Sequence, residues 1–480
     1  MINRREFILS LGLAASGTLT MSSWGKEETP KPNVLYIFTD DQRFNTIRAL
    51  NNPDIITPNL DRLAERSFIF NHAYCFGGNT GAVCIPSRNM NMTGNTFFNF
   101  NGGNGDWRKQ PTDNGQGHTF PKSMKSAGYE TFYREKSGSA NLPHIQKQFD
   151  YRKDVNMVKQ LKTGYAARTT INDSINYLEK VRDRSKPFFM YLGLPCPHDP
   201  RWSAKEFRDM YNQEKLPVPE NYLPYHPWDI GSPMTVRDEC LEAWPRTKKA
   251  IRKHLHDYYS LITCMDADIG RLLDKLDELK LTENTIIIFS SDQGMAMGSH
   301  GLMGKQSLYD DVMKVPMLFS GPGIPKGKSN ALIYIHDVYP TVCELVGAEK
   351  PKGIDGVSFS SIIEGKKEET RDHLMFAYCT TQRAIRNGTW KLIQYPQINR
   401  TQLFNLKNDP WEKNNLASNP EHRDQVEKMI KLLKQEQKIY GDDQPLTSQN
   451  PKTAEFVHPK KKLKTHYPAG GLAPNIAKKK

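Results

Sequence analysis

The stretch Asn33-Val34-Leu35-Tyr36-Ile37-Phe38 is a compact apolar and aromatic run, and it stops at Thr39-Asp40-Asp41. A short apolar run that ends abruptly at polar residues is typical of a strand buried on both faces of a parallel sheet. It predicts a buried strand over residues 33–38 that delivers two carboxylates, those of Asp40 and Asp41, at its carboxyl end.

The same pattern occurs twice more. Phe188-Phe189-Met190-Tyr191-Leu192 stops before Pro195-Cys196-Pro197-His198-Asp199, and Thr285-Ile286-Ile287-Ile288-Phe289 stops at Ser290-Ser291-Asp292-Gln293-Gly294. Between them, apolar residues at helical spacing from Leu255 to Leu279 predict a long amphipathic helix that covers the sheet. A fourth strand is predicted at residues 315–319. Strands that alternate with helices imply an α/β fold with a large, mostly parallel sheet, whose ligands bind outside the carboxyl ends of the strands.

The later part of the chain predicts a smaller α+β subdomain. A helix is expected from Asp337 through Val346, then short strands at 382–386 and 390–394, and a charged amphipathic helix at 425–440. The expected organisation is therefore a separate amino-terminal segment at 1–24, a large α/β domain at 31–370, an α+β subdomain at 371–445 and a flexible tail at 446–480.

The chain has 480 residues and a formal net charge of +13. Residues 446–480 hold eight Lys against one Glu, so they alone contribute +7. The rest of the chain is only mildly basic, which gives no reason to expect a nucleic-acid partner.

The amino terminus is typical of a bacterial targeting segment. Arg4 and Arg5 precede an apolar run at residues 8–19 that is too short to span a bilayer, a pattern similar to a twin-arginine export signal. An ordinary secretory signal with two arginines is the alternative. Either way we expect an exported protein, periplasmic or secreted, without a stable membrane anchor.

The most specific local feature is Cys84-Ile85-Pro86-Ser87-Arg88, followed by Thr93-Gly94. Pro86 suits the first turn of a helix, whose free N–H groups attract an oxyanion, and Arg88 adds a bidentate donor. The residues therefore predict an anion site, although a buried cysteine before an ordinary helix is the plainer alternative. None of the seven cysteines forms a C-x-x-C pair, and their odd number leaves at least one without a disulfide partner inside the chain.

Cys-x-Pro-Ser-Arg with Thr-Gly after it resembles the signature of type I sulfatases, in the alkaline phosphatase superfamily. Other phrases of that family occur in order between residues 31 and 445: F-T-D-D-Q at 38–42, P-H-D-P at 197–200, S-D-Q-G at 291–294, G-K at 304–305, D-V-Y-P-T at 337–341 and L-F-N-L-K-N-D-P at 403–410. Two details, His-Asp-Pro followed by Lys205-Glu206-Phe207 and the phrase Gly298-Ser299-His300-Gly301, look most like iduronate-2-sulfatase and related carbohydrate sulfatases.

The resemblance implies that a formylglycine-generating maturation enzyme oxidises Cys84 to Cα-formylglycine, whose hydrate is the nucleophile on a sulfate ester, here on a carbohydrate. It implies catalytic roles for Cys84, Arg88, Lys136, His198 and Lys305, and a substrate contact at His300. The oxygen donors Asp40, Asp41, Asp292 and Gln293, beside Cys84, suit a hard cation such as Ca²⁺.

Two positions depart from the family pattern. Gln293 stands where His or Asn is common. Glu135-Lys136-Ser137-Gly138 replaces the usual G-K-W-H, so Gly138 stands where that phrase has its histidine. These departures keep open a degenerate protein that binds sulfated glycan without turnover. A phosphonate monoester or phosphodiester hydrolase of the same superfamily is the other alternative, which only an assay excludes.

Overall fold

The strand predicted at residues 33–38 spans Asn33–Thr39 and lies near the middle of a nine-stranded sheet. The structure, a computed structural model, describes residues 31–99, 118–136, 143–156, 159–160 and 162–456. The strands of this part of the chain are β1 (Asn33–Thr39), β2 (Phe68–Tyr74), β3 (Gly77–Gly78), β4 (Glu130–Lys136), β5 (Tyr151–Val155), β6 (Phe188–Gly193), β7 (Thr285–Ser291), β8 (Lys314–Val315), β9 (Met317–Ser320), β10 (Gly327–Tyr334), β11 (His373–Tyr378), β12 (Gln382–Asn387), β13 (Trp390–Tyr395) and β14 (Arg400–Asn405).

The main sheet has the strand order β10-β2-β9-β7-β1-β6-β4-β5, and β8 pairs with β2. All pairings except those of β8 and β9 are parallel, which confirms the large, mostly parallel sheet. The strand predicted at 315–319 is split into β8 and β9, and both run antiparallel to their neighbours. A buried apolar run looks the same in either orientation, so the sequence pattern does not reveal this reversal.

Helices cover the main sheet on both faces. Those of seven residues or more in the described chain are α1 (Pro58–Glu65), α2 (Cys84–Thr93), α3 (Phe120–Ser126), α4 (Arg168–Asn176), α5 (Lys248–Glu278), α6 (Val338–Leu345) and α7 (Arg423–Tyr440). The long helix expected around residues 255–279 is α5, which begins where the Thr247 hydroxyl accepts a hydrogen bond from the Ala250 N–H at 3.1 Å. Alternate residues of β1 pack into two separate hydrophobic clusters, so both faces of that strand are buried, as predicted.

A second sheet has the order β14-β13-β12-β11-β3 and is covered by α7. Its strands β12 and β13 and its helix α7 correspond to those predicted within residues 371–445. The fifth strand, β3, comes from the first half of the chain and pairs with β11. A glycine is needed there, because a Cβ on Gly77 would lie 2.0 Å from the Ala377 carbonyl oxygen. The two sheets share one hydrophobic cluster, and the described residues from Pro32 onward form a single compact unit.

Residues 446–456, expected to begin a flexible tail, instead pack against the body of the protein; we call them the C-terminal strap. The Ser448 N–H donates to Asn399 Oδ1 at 2.7 Å, and the Ala454 carbonyl accepts from the Asp229 N–H at 3.0 Å. The ring of Phe456 lies 5.3 Å from that of Trp244. The expectation rested on average composition, which conceals the few apolar residues that anchor this segment.

The remaining expectations at the chain ends fall on residues 1–24 and 457–480, which lie outside the described residues. Within the described part, every helix is either too short or too polar to cross a bilayer.

Candidate active site

The carboxyl ends of β1 and β7 bring the two predicted acidic pairs together. The strands are parallel neighbours with Thr39 opposite Ser291, so Asp40 and Asp41 follow one strand where Asp292 and Gln293 follow the other. The Asp41 N–H donates to Asp292 Oδ1 at 2.9 Å, and Gln293 Nε2 donates to Asp41 Oδ1 at 2.6 Å. All four side chains are buried.

Cys84 is the first residue of α2 and lies on this cluster. Its Sγ is 3.3 Å from Asp40 Oδ1, 3.1 Å from Gln293 Nε2 and 2.9 Å from Lys305 Nζ. The residue is 1 % exposed, and burial, reinforced by the charge of Asp40, raises the pKa of its thiol well above the usual value. The side chain is therefore a neutral thiol and not a reactive thiolate.

Arg88 lies one turn further along α2 and is surrounded by carboxylates. Its Nη2 is 2.9 Å from Asp40 Oδ2 and 3.1 Å from Asp292 Oδ2, and its Nη1 pairs with Glu135. All of these side chains are fully buried. Sequence analysis missed Glu135, because only the register of β4 in the sheet shows that it reaches Arg88.

Two lysines bring further positive charge. Lys136, at the end of β4, pairs with Asp40, and Lys305 Nζ lies 2.8 and 3.0 Å from the two oxygens of Asp41. Burial opposes the charge of Lys305, but the neighbouring acidic groups, of which Asp41 has the largest effect, together outweigh it and raise the lysine pKa well above its usual value. Both lysines are therefore fixed cations inside the cluster.

The donor set fits a hard divalent cation. Oxygens of Asp40, Asp41 and Asp292 lie within 4.8 Å of one another and of Cys84 Sγ. Burial raises the pKa of Asp41 to about 7, with Lys305 opposing the rise and Asp40 adding to it. The Oε1 atom of Gln293 is buried and accepts no hydrogen bond from any described residue. Turning this amide over would aim a neutral oxygen ligand at the carboxylates.

His198 follows β6 and borders the same cluster. Its Nδ1 lies 2.5 Å from the Asp199 carbonyl oxygen, so the neutral ring donates there and presents Nε2 to the site. Nε2 is 3.7 Å from Asp41 Oδ2. Burial and then the charge of Lys305 lower the pKa of His198 to about 3.

Arg237 is a neighbour of this site that sequence analysis did not identify. Its guanidinium lies 2.7 and 3.0 Å from the two oxygens of Asp199, and its Nη2 is 3.4 Å from His198 Nε2. Its side chain is 29 % exposed, against 9 % for His198 and 2 % for Lys305. Exposure thus rises toward Arg237, so the cluster opens to solvent on that side.

His300 is not brought into the cluster. Its ring stacks on Tyr309 with centroids 3.7 Å apart, and its Nε2 lies 3.0 Å from Asn221 Nδ2. His300 is buried at 5 % exposure and lies outside the acidic cluster, so its role as a substrate contact stays a prediction. Gly138, the other departure noted above, lies outside the described residues.

Comparison with known proteins assigns the family. The Sulfatase family profile matches residues 32–348, and the profile of the N-sulphoglucosamine sulphohydrolase C-terminal region matches residues 298–439. An N-acetylglucosamine-6-O-sulfatase of Bacteroides thetaiotaomicron is 26 % identical over 91 % of this chain and 92 % of its own length. Human iduronate 2-sulfatase is 26 % identical, over 82 % of this chain and 84 % of its own.

A solved structure shows the same fold. It was determined in complex with its substrate D-glucosamine-2-N,6-O-disulfate, and it superposes with a TM-score of 0.72 at 24 % identity, covering 87 % of this chain and 99 % of its own. The family match over residues 32–348 includes every residue of the buried cluster. The chain belongs to the sulfatase family and is a sulfuric ester hydrolase.

Proposed function

We propose that this sulfatase removes sulfate from a carbohydrate, using a formylglycine made from Cys84 and one calcium ion. The observation that carries the proposal is the buried cluster in which Cys84 meets acidic residues from two strands and three cationic side chains. Support for a sugar substrate comes from two similar proteins, one named for N-acetylglucosamine sulfate and the other solved with a sulfated glucosamine.

Burial of the thiol supports modification at position 84. A neutral buried thiol is a weak nucleophile, so the encoded side chain is poorly suited to attack sulfur. A formylglycine there supplies an oxygen nucleophile, and a calcium ion held by Asp40, Asp41, Asp292 and Gln293 Oε1 supplies adjacent positive charge. The proposal requires a formylglycine-generating maturation enzyme as a partner.

The cations of the cluster bind the anionic ester. Lys305 Nζ lies 2.9 Å from Cys84 Sγ, and Lys136 pairs with Asp40 beside it. Both lysines would contact the sulfonyl oxygens, which carry the negative charge of substrate and product. Arg88 is enclosed by carboxylates, so its charge holds Asp40 and Asp292 in place at the reacting end. These positions favour an ester anion while excluding water from most of the site.

His198 is assigned to the leaving oxygen. Its Nε2 lies 3.7 Å from Asp41 Oδ2 and 3.4 Å from the partly exposed Arg237. We therefore place the sugar on this side of the cluster. Burial lowers its pKa, but a bound sulfate ester places negative charge beside the ring and so favours the protonated form. The proton would pass from Nε2 to the leaving alkoxide oxygen.

A desulfation screen tests the proposal. Matured protein is incubated with a panel of sulfated sugars, an aryl sulfate and a phosphonate monoester, and released sulfate or phosphonate is measured by ion chromatography. We expect sulfate release from at least one sugar, and none from the Cys84→Ala variant. Glycan binding without turnover by fully matured protein would indicate a degenerate binding protein, and faster phosphonate hydrolysis would indicate the other hydrolase class.

We also propose export to the periplasm or beyond, on the strength of Arg4, Arg5 and the short apolar run after them. Changing both arginines to lysine should leave the protein in the cytoplasmic fraction if the twin-arginine route is used. Unchanged export of that variant would favour the general secretory route.

A further inference from the structure

The loop that carries Lys305 is attached to a distant acidic residue, Glu239. One Glu239 oxygen accepts from the Gly304 N–H at 2.7 Å, and the other accepts from the Met303 N–H at 2.9 Å. Glu239 is 2 % exposed, so these are buried, charge-assisted hydrogen bonds to the two residues immediately before Lys305.

Gly304 leaves room for the side chains that support the loop. A Cβ on Gly304 would lie 2.9 Å from Glu239 Oε1 and 2.4 Å from Gln306 Oε1. Gln306 completes the support, since its Oε1 accepts from the Lys305 N–H at 2.9 Å and its Nε2 donates to Asp238 Oδ2 at 2.7 Å. Thus two consecutive acidic residues, Asp238 and Glu239, hold both sides of the Lys305 backbone.

Glu239 is itself fixed by a cation that takes no part in the site. Arg246 Nη2 lies 2.9 Å from Glu239 Oε2 and donates to the Glu239 carbonyl oxygen at 2.7 Å. Among the residues that the structure describes, the Glu239 side chain contacts Arg246, Met303 and Gly304, and it contacts neither Cys84 nor His198. Any effect of Glu239 on the chemistry must therefore pass through the loop.

We propose that Glu239 is a positioning residue for Lys305. A lysine side chain has many rotamers, so its Nζ stays in contact with both Asp41 and Cys84 only if the backbone that carries it is held in place. Displacement of a reacting group by about 1 Å can cost about 100-fold in rate. The inference rests on the proposed role of Lys305 in binding the sulfate group.

A double-mutant cycle tests it. The variants Glu239→Gln, Lys305→Ala and the pair are prepared as full-length matured enzyme, and kcat and KM for an aryl sulfate are measured beside thermal unfolding. Glu239→Gln should lower kcat about 10- to 100-fold. In the Lys305→Ala background the same change should cost little more, because the residue it positions is already gone. If the fold-loss of kcat in the double variant equals the product of the two single fold-losses, the proposal is wrong.

Matched variants separate positioning from folding. Glu242→Gln, in the same segment, removes a carboxylate that contacts His254 at 3.2 Å instead of the Lys305 loop, and it should leave kcat nearly unchanged. If Glu239→Gln does not fold, Glu239→Asp replaces it, since it keeps a charge beside Arg246 but is too short to reach both N–H groups. If a folded Glu239 variant has a normal kcat, the positioning role of Glu239 is rejected, but the proposed role of Lys305 is not. Normal activity of Lys305→Ala rejects the proposed role of Lys305 and the positioning role with it.

Discussion

Gly193 on β6 lies directly opposite Glu135 on β4, and a Cβ on Gly193 would stand 2.6 Å from Glu135 Cγ. The empty space beside the glycine is what lets the Glu135 side chain lie across the sheet and pair with Arg88. Its second oxygen accepts from the Tyr133 hydroxyl at 2.5 Å. A glycine at the end of a strand thus decides where a buried carboxylate points.

Gly193→Ala should therefore displace Glu135 from Arg88. We expect a loss of about 1–3 kcal/mol in the free energy of unfolding, as in other overpacked cores, and a fall in kcat of about tenfold or more. Gly388→Ala is the control, because a Cβ there meets nothing within 4 Å. Chemical denaturation and steady-state kinetics provide the two measurements. A normal kcat of the Gly193→Ala enzyme would show that activity does not depend on this position of the Glu135 side chain.

Cys84 should carry an aldehyde after coexpression with a formylglycine-generating enzyme. We expect this because the unmodified thiol is buried and because a cysteine is the first residue of α2. Peptide mass spectrometry of the segment around Cys84 measures the conversion. Sulfate ester hydrolysis by protein whose Cys84 is an unmodified thiol throughout would exclude the formylglycine mechanism.

Chelation should abolish activity, and calcium should restore it. The ligand set consists of oxygen donors, which calcium prefers over zinc. Gln293→Leu removes the buried amide oxygen and should weaken calcium binding by at least tenfold in calorimetry, whereas Gln293→Asn keeps an amide oxygen and should weaken it less. Stoichiometric zinc in active protein would contradict the assignment and favour a two-metal phosphatase chemistry.

The parts of the site that follow strands were predictable from sequence. Asp40, Asp292 and His198 each come after an apolar run, and parallel strands place such residues at one edge of the sheet. The antiparallel direction of β9 was not predictable, since a buried run carries no mark of its orientation. The strand β2 was also missed, because Asn71 and His72 interrupt its apolar pattern.

The supporting residues of the site could not be found from sequence for a different reason. Glu135, Arg237 and Glu239 are charged residues of ordinary appearance, and a charged residue is usually solvated. Their partners are Arg88, His198 and the Lys305 loop, which are close only in the folded chain. No local pattern encodes such pairs, so only the tertiary structure identifies them.

His198→Ala should slow a glycan sulfate far more than an aryl sulfate. A sugar alkoxide is a poor leaving group that needs a proton, and general acid catalysis typically contributes about 10²- to 10⁴-fold, whereas an activated aryl group leaves unaided. Arg88→Ala should impair both substrates. The measurement is kcat/KM of each variant and of the unmutated enzyme on both substrates. If His198→Ala lowers kcat/KM equally on both substrates, His198 is not the general acid and Lys305 becomes the candidate.

Two truncations should differ sharply. Deletion of 457–480 should leave thermal unfolding and hydrolysis unchanged, given the Lys-rich composition of that segment. Deletion of 446–480 also removes the C-terminal strap, including Leu446, which is 8 % exposed and whose burial alone is worth about 2 kcal/mol. Differential scanning calorimetry should show a lower melting temperature only for the longer deletion. Identical melting curves would mean that the strap contributes nothing.

The central position of β1 has a consequence for how the chain folds. This strand is synthesised before its neighbours β6 and β7, which lie 155 and 252 residues further along the chain. Contacts of such long range form slowly, because a large loop must close before they stabilise anything. Asp40 and Asp41 thus leave the ribosome before Asp292 and Gln293, and their cluster can assemble only after β7 has emerged. A nascent chain shorter than this should be an inactive intermediate with an unpaired apolar strand, dependent on chaperones to avoid aggregation.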